Sequence, residues 1–149
     1  TLVSNTMGAD NKDKVLSLIK RTSIISLGSI RIIILIMSIF PRLFLHIYTN
    51  DVSLIADTVS PFYVLLSALP IYAIANVTFS GLSGTGNTRT ALVFDLIAIV
   101  SYFAYSWFII VYMRLSINWA WTTEFVYWGL LLITSVLYLR SKKWMNKVI

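Results

Sequence analysis

The chain has 149 residues, of which 58% are hydrophobic, 14% aromatic and only 12% charged, with a formal net charge of +6. A soluble domain carries roughly 25% charged residues, so this composition excludes an ordinary water-covered globule and predicts that lipid surrounds most of the protein. There is no cysteine, which excludes a disulfide framework and a thiolate metal site.

A short apolar segment opens the chain. Residues 1–8, TLVSNTMG, end on Gly8, a pattern typical of the last turns of a helix closed by a glycine. No basic segment precedes them, so they do not have the pattern of a signal peptide. We therefore expect the end of a helix whose beginning lies upstream.

Four apolar runs follow, each long enough to cross a hydrocarbon core of about 30 Å as a helix. The predicted transmembrane helices are residues 22–45, 61–82, 90–113 and 118–139. Asn11 is expected to cap the approach to the first helix. Ser60, followed by Pro61 at the first helical position, is expected to cap the second. Pro70, in the middle of the second helix, predicts a kink.

The stretch SGLSGTGNTRT, residues 80–90, is predicted to be a turn between the second and third helices. Ser80 and Gly84, four residues apart, favour close packing against a neighbouring helix. Residues 84–87 are expected to reverse the chain, with Asn87 or Thr88 capping the next helix. The stretch lacks the GxxxxGK[ST] spacing of a phosphate loop, so its role is predicted to be structural.

Basic residues predict the orientation. Two of them, Arg42 and Arg114, lie on one side of the predicted helices. Nine lie on the other side: Lys12, Lys14, Lys20, Arg21, Arg89, Arg140, Lys142, Lys143 and Lys147. By the positive-inside rule the C-terminus, with its basic tail 140–149, is cytoplasmic. The positive charge is thus a topology signal, and no nucleic-acid partner is predicted. Tryptophans near the predicted interfaces are typical of aromatic belts: Trp119, Trp121 and Trp144.

Three segments and the terminal helix with its basic tail carry a resemblance to a known family. The segments are TLVSNTMGAD (1–10), PRLFLHIYTNDVSLI (41–55) and FSGLSGTGNTRTALV (79–93). In order and spacing they resemble the last helices of the multidrug and toxic compound extrusion (MATE) family, from the end of the eighth through the twelfth. The resemblance implies an all-α integral membrane fold, with about four transmembrane helices plus the end of a fifth.

The resemblance also implies a function. Family members have twelve helices in two lobes and export cationic or amphipathic compounds in exchange for sodium ions or protons. The chain would be a partial C-terminal lobe, partnered by the missing N-terminal lobe, membrane lipid and a small-molecule substrate. It would be a multi-pass plasma-membrane protein with no cofactor beyond the coupling ion. Two alternatives stay open: a lipid-linked oligosaccharide flippase of the same superfamily, and a non-transporting scaffold subunit.

Asp95 and Glu124 are the acids inside the predicted helices. Placing a charge at the centre of a membrane helix costs roughly 2.5–3.5 kcal/mol, so such residues usually face a cavity or a partner. A carboxylate there can bind a proton or sodium ion in one state and a cationic compound in another. Some sodium-linked relatives carry an acid in the tenth helix, whereas residues 58–88 hold none here, so the coupling ion stays open.

Aromatic residues accompany both acids. Tyr102 follows Asp95 by seven residues on the same helical face, and Tyr127 and Trp128 follow Glu124 by three and four. Aromatic faces beside an acid suit an organic cation. The alternative is that the acids only tie helices together and the rings only pack. From helical rise, the two acids lie on the order of 13 Å apart in depth, so they are not expected to share one proton.

Arg31 is the remaining ionisable residue inside a predicted helix, about 14 Å deep by helical rise. Snorkelling toward the inner surface and pairing with an acid explain its position equally well. Catalysis is not expected, because the chain has no Ser/His/Asp arrangement and its one histidine, His46, has no partner at metal-ligand spacing. No metal site is predicted.

Overall fold

The structure, a computed structural model, describes residues 2–9 and 11–146. All regular secondary structure in that part of the chain is helical. The α-helices are α1 (Leu2–Gly8), α2 (Val15–Ile39), α3 (Pro41–Leu45), α4 (Val52–Gly84), α5 (Thr88–Trp107), α6 (Ile117–Ala120) and α7 (Thr123–Arg140). A π-helical segment, Phe108–Tyr112, extends α5, and 3-10 turns at Lys12–Lys14 and Lys143–Asn146 flank α2 and α7. Residue 1 of the predicted helix end 1–8, residue 10, and residues 147–149 of the predicted basic tail lie outside the described residues.

Four helical stretches are long and apolar enough to cross a membrane. They are Lys12–Ile39, Val52–Gly84, Thr88–Tyr112 and Ile117–Arg140. The predicted all-α membrane fold with about four spanning helices is therefore confirmed, and the short helix α1 precedes these four. The individual bounds differ from the predicted ones, and each difference has a local cause.

The long helices pack side by side in the order α2, α4, α7 and α5, and α1 packs where α2 begins and α4 ends. One end of the bundle, here called the inner end, holds the 85–87 turn, the start of α2 and the residues after α7. There the Lys12 ammonium donates to the Met145 carbonyl at 2.9 Å. At the opposite, outer end, the Asn118 amide donates to the Ser60 hydroxyl at 2.9 Å.

A compact apolar core closes the inner end. Its buried members come from α1, α2, α7 and the final 3-10 turn: Val3, Met7, Val15, Ile19, Leu139 and Trp144. Trp144 is 0% exposed, and its Nε1–H donates to the Leu139 carbonyl at 2.8 Å. Its interpretation as an interfacial belt residue was therefore wrong, because the chain folds back after α7 and places the indole inside the protein.

The start of α4 differs most from its predicted position. Asp51, not Ser60, is the N-cap, and its Oδ1 accepts from the backbone N–H groups of Ser53 at 2.9 Å and Leu54 at 3.3 Å. Ser60 lies within the helix, and α4 continues through Pro61 and Pro70. The Ser60–Pro61 pair resembles a helix start, but membrane helices tolerate internal prolines because other groups satisfy the freed backbone atoms.

The predicted transmembrane helix 22–45 is divided into two helices. α2 ends at Ile39, and Pro41 starts the separate helix α3. Phe40 has φ −123° and ψ 52°, outside the helical region, as expected for a residue whose helical conformation clashes with a following proline ring. Asn11 precedes the Lys12–Lys14 turn without a side-chain cap, since its amide donates to the Ala9 carbonyl at 3.2 Å. The predicted Asn11 cap was wrong.

The glycine-rich turn has the predicted place. α4 ends at Gly84, Gly86 has φ +80°, which favours glycine, and α5 begins at Thr88. Asn87 occupies the N-cap position without a side-chain cap, and its amide donates to the Tyr138 hydroxyl on α7. The residue thus joins two helices instead of capping one.

Close helix packing at this end involves two glycines of α4. A Cβ added at Gly81 would lie 2.6 Å from Ile19 Cδ1, and one at Gly84 would lie 2.9 Å from Val3 Cβ. The predicted role of Gly84 agrees with this geometry, whereas Ser80 is exposed and lies beside the contact. Gly81 takes the position that the sequence interpretation gave to Ser80.

Substitution of Gly84 by alanine tests this contact. The new methyl group meets Val3 Cβ, an atom fixed to the α1 backbone, so we expect Gly84→Ala to lower the free energy of unfolding by about 1–3 kcal/mol. Gly28→Ala is the matched control, because a Cβ at Gly28 meets nothing within 4 Å and a helical alanine is favourable by up to about 1 kcal/mol. The measurement is thermal unfolding of the intact protein in detergent; equal midpoints for both variants would contradict the close contact.

The Asp51 cap predicts a pH dependence at the outer end. The hydrogen bond from the Ser53 hydroxyl, with those from the Leu54 and Ser53 amides, lowers the pKa of Asp51 below its ordinary 3.8. A lowered pKa in the folded state means that the ionised carboxylate stabilises the helix start above the ordinary pKa. This contribution is lost as the pH falls through the folded-state pKa.

We expect the amide protection factors of Ser53 and Leu54 to fall on acidification from pH 7 to pH 3, and to be already low at pH 7 in Asp51→Ala. Hydrogen exchange followed by NMR in micelles measures both. Asp57→Ala, in the same helix but away from the cap, is the control. Unchanged protection in Asp51→Ala would rule out the cap.

Candidate functional site

One hydrogen bond joins α5 and α7 inside the bundle. The Tyr127 hydroxyl on α7 donates to Oδ1 of Asp95 on α5 at 2.8 Å, and both side chains are half-buried. A tyrosine side chain is long enough to reach across the difference in level between the two residues. The carboxylate therefore has a protein partner within a membrane-spanning segment.

Glu124 has an aromatic partner on its own helix. The Trp128 Nε1–H, one turn further along α7, donates to Glu124 Oε2 at 3.0 Å. The Trp128 ring meets the Tyr127 ring edge-on, with centroids 4.8 Å apart. Asp95, Tyr127, Trp128 and Glu124 thus form a continuous set of contacts, here called the acid–aromatic cluster. The two acids are connected through aromatic side chains.

A cavity of about 450 Å³ opens beside this cluster, between α5 and α7. Its lining combines one carboxylate with apolar and aromatic side chains: Ile99, Tyr102, Phe103, Glu124, Tyr127 and Trp128. The Tyr102 ring lies edge-on to that of Tyr127, with centroids 6.3 Å apart. The structure therefore brings together five of the sequence-predicted site residues. Four of them line the cavity: Tyr102, Glu124, Tyr127 and Trp128. The fifth, Asp95, accepts a hydrogen bond from Tyr127.

A second, smaller cavity of about 190 Å³ lies on the α4 side of Trp128. Glu124 and Trp128 line both cavities, and Tyr72 of α4 meets the Trp128 ring edge-on at 4.6 Å. Asn76, four residues along α4, donates to the Tyr72 hydroxyl at 3.3 Å. Tyr72 was not predicted as a site residue, because it lies on α4 whereas the two acids lie on α5 and α7. The polar pair Tyr72 and Asn76 in an apolar run was its available signal.

Arg31 lies apart from these residues. It is exposed on α2, which packs on α4 and α1, whereas the cluster lies between α5 and α7. In the described residues it forms no ion pair. The structure thus does not bring Arg31 to the acid–aromatic cluster, and both the snorkelling and the acid-pairing interpretations of this residue remain.

The cluster can hold positive charge. A cation in the larger cavity would meet the Glu124 carboxylate and the negative faces of Tyr102, Tyr127 and Trp128. A wider cavity of about 600 Å³ near the outer end is lined, among the described residues, by apolar and hydroxyl-bearing side chains without an acid, so these residues offer no such chemistry. Across residues 2–9 and 11–146, no three His, Cys, Asp or Glu side chains gather to hold a metal ion.

Four helices of membrane-spanning length define a multi-pass membrane protein. The MatE family model matches residues 1–112, about three quarters of the chain, and the chain therefore belongs to the MATE family, whose members are transporters. No curated protein and no solved structure matches the chain significantly. Asp95, Tyr102 and Arg31 lie inside the matched region, and Glu124, Tyr127 and Trp128 lie beyond it.

Proposed function

We propose that the intact protein is a cation-coupled antiporter that exports cationic or amphipathic small molecules by alternating access. The observation that carries this proposal is the cavity between α5 and α7, in which Glu124 lies among four aromatic side chains and Tyr127 contacts a second acid. A carboxylate in a membrane-spanning helix is costly, and a cavity that admits a cation offsets that cost.

Asp95 is proposed to bind the coupling ion, either a proton or sodium. Its carboxylate accepts a hydrogen bond from Tyr127, and neither residue is fully buried. Binding of a proton or sodium ion neutralises the carboxylate and weakens its attraction for the Tyr127 hydroxyl. Because the Tyr127 ring forms part of the cavity wall, occupation of Asp95 then changes the shape of the cavity.

Glu124 is proposed to neutralise the charge of the substrate. Glu124 and Trp128 line both cavities. A cation bound to Glu124 therefore lies beside the Trp128 ring in whichever of the two cavities it occupies. The separation of the two acids lets one hold the coupling ion while the other holds the substrate. The coupling ion at Asp95 and the substrate at Glu124 then affect each other's binding through contacts of Tyr127 and Trp128, and the two acids share no proton.

The rest of the transporter completes this scheme. The described helices form part of one lobe that rocks against the missing N-terminal lobe, with the inner end facing the cytoplasm and the protein in the plasma membrane. No observation on the described residues favours the flippase alternative, since the one intramembrane arginine, Arg31, lies away from both cavities.

The test is transport by the intact protein in proteoliposomes, with ethidium as the organic cation and an imposed sodium or proton gradient. We expect uphill ethidium movement with one of the two gradients, and collapse of that movement when the gradient is dissipated. Movement that ignores both gradients would contradict antiport, and no movement of any tested cation would favour the scaffold alternative. Asp57→Asn, which removes an exposed acid outside the cluster, is the control and should transport like the wild type.

A further inference from the structure

A cavity of about 440 Å³ lies between α1 and the first turns of α2, at the inner end and away from the acid–aromatic cluster. It is lined by two basic side chains, two hydroxyl side chains and one leucine: Thr6, Lys14, Ser17, Leu18 and Arg21. Among residues 2–9 and 11–146, no acid lines it. Such a lining offers positive charge and the Ser17 hydroxyl to an anion.

Helical geometry explains why the two basic residues converge. Lys14 and Arg21 are seven residues apart, two turns, and Ser17 lies between them on the same face. Neither cation forms an ion pair with a carboxylate of the described residues. Two like charges on one face repel each other, and this repulsion is relieved when an anion binds between them.

The neighbouring basic residues are used differently. Lys12 donates to the Met145 carbonyl at 2.9 Å, and Lys20, which is exposed like Lys14 and Arg21, does not line the cavity. The positive-inside rule explains why basic residues are abundant at this end, but it does not distinguish Arg21 from Lys20. The cavity does distinguish them, because Arg21 lines it together with Lys14 and Lys20 does not.

Another cavity, whose lining is mostly apolar but includes Thr22, Asn76 and Ser80, adjoins the basic one. Leu18 lines both, and the second cavity, of about 230 Å³, continues along α2 toward Thr22 and is also lined by Leu2 and Val77. This direction leads from the inner end into the apolar part of α2. A ligand that fills both cavities has an anionic head and an apolar chain.

We propose that the basic cavity binds the phosphate of an anionic phospholipid from the leaflet at the inner end, with an acyl chain along the Leu18 side. Lys14 and Arg21 contact the phosphate oxygens, and Ser17 donates a hydrogen bond, whereas the Thr6 hydroxyl already donates to the Leu2 carbonyl at 2.9 Å. Basic pockets between membrane helices recognise lipid head groups in this way. The site is separate from the proposed transport cavity, so it stands whether or not the antiport mechanism is correct.

The test uses the intact protein and native mass spectrometry, with dioleoylphosphatidylglycerol and dioleoylphosphatidylcholine as the probes. We expect the wild type to retain phosphatidylglycerol in preference to phosphatidylcholine. Each neutralised cation should weaken phosphatidylglycerol binding about fivefold, so Lys14→Gln/Arg21→Gln should weaken it about 25-fold. Lys20→Gln/Lys143→Gln removes the same charge from the same end of the bundle without touching the cavity, and should bind like the wild type.

Three outcomes would overturn the proposal. They are equal binding of both lipids by the wild type, equal losses in the two double variants, and full competition by free sn-glycerol 3-phosphate, which would mean a soluble phosphate ligand. Arg21→Lys keeps the charge and should retain binding, so a loss of binding in the Gln variants can be separated from misfolding. Equal unfolding temperatures in phosphatidylcholine verify that the variants are folded.

Discussion

Asp95→Asn is expected to reduce gradient-driven export of an organic cation by the intact protein about 5- to 150-fold, the range of an ordinary coupling free energy between two sites. Asparagine has nearly the same size and still accepts a hydrogen bond from Tyr127, so the contact between α5 and α7 persists. What disappears is the group that takes up a proton or sodium ion. The measurement is ethidium transport in proteoliposomes under the gradient that drives the wild type.

Two comparisons isolate the role of Asp95. Equilibrium binding of ethidium in the absence of a gradient should fall much less than transport, because Glu124 and the aromatic walls of the cavity are unchanged. Tyr127→Phe keeps the ring and removes the hydrogen bond. It should therefore shift the pH or sodium concentration at which transport is half-maximal while leaving the maximum largely intact. Wild-type coupled transport by Asp95→Asn would remove Asp95 from the mechanism.

Trp144→Ala is expected to cost about 3–5 kcal/mol of stability, the usual effect of truncating a buried aromatic residue. Trp144 is 0% exposed and packs in the inner-end core with residues of α1, α2 and α7. Its loss leaves a cavity where three separate elements meet. It also removes the donor for the Leu139 carbonyl. The unfolding temperature of the intact protein in detergent should fall by on the order of 10 °C.

Trp119→Ala provides the matched control. Trp119 is 52% exposed near the outer end, so its truncation removes little buried contact and should change the unfolding temperature by far less. Trp144→Phe should fall between the two, because the ring still fills the core but the Leu139 carbonyl loses its donor. Similar losses for Trp144→Ala and Trp119→Ala would mean that the final turn does not pack on the bundle.

Asp95 and the inner-end core lie in different parts of the helix bundle. The inner-end core holds α1, α2 and the end of α7 together, and the glycines of α4 bring α1 and α2 close to it. The position of α7 along α5 in turn sets which tyrosine reaches Asp95. A destabilised inner end is therefore expected to loosen the Tyr127 hydrogen bond, although the two regions share no residue.

Several features followed from local patterns. Apolar runs of about 20 residues and scarce charge predicted membrane-spanning helices, since a helix of that length crosses the hydrocarbon core. The Gly84–Asn87 segment predicted the turn because glycine alone readily takes the conformation seen at Gly86. Asp95 and Glu124 were recognisable because an acid is rare in an apolar helix.

Other features required neighbours distant in sequence. Ser60 lies within α4, where it accepts a hydrogen bond from Asn118, and Trp144 is buried because the chain folds back after α7. Tyr72 joined the site only through Trp128 on another helix. Hydropathy predicts none of these contacts, because it is averaged along one helix and contains no information about which residues pack against that helix.

The sequence by itself therefore determined the membrane class, the four long helices, the turn between α4 and α5, the family resemblance and the candidate acids. Only the tertiary structure decided that Tyr127 contacts Asp95, that Trp128 joins Glu124 to the same cluster, and that Arg31 lies elsewhere. The physical reason is that a hydrogen bond between two helices depends on their relative rotation and depth. Close packing at Gly81, Gly84 and the inner-end core contributes to this rotation and to this depth. The sequence of a single helix specifies neither the rotation nor the depth.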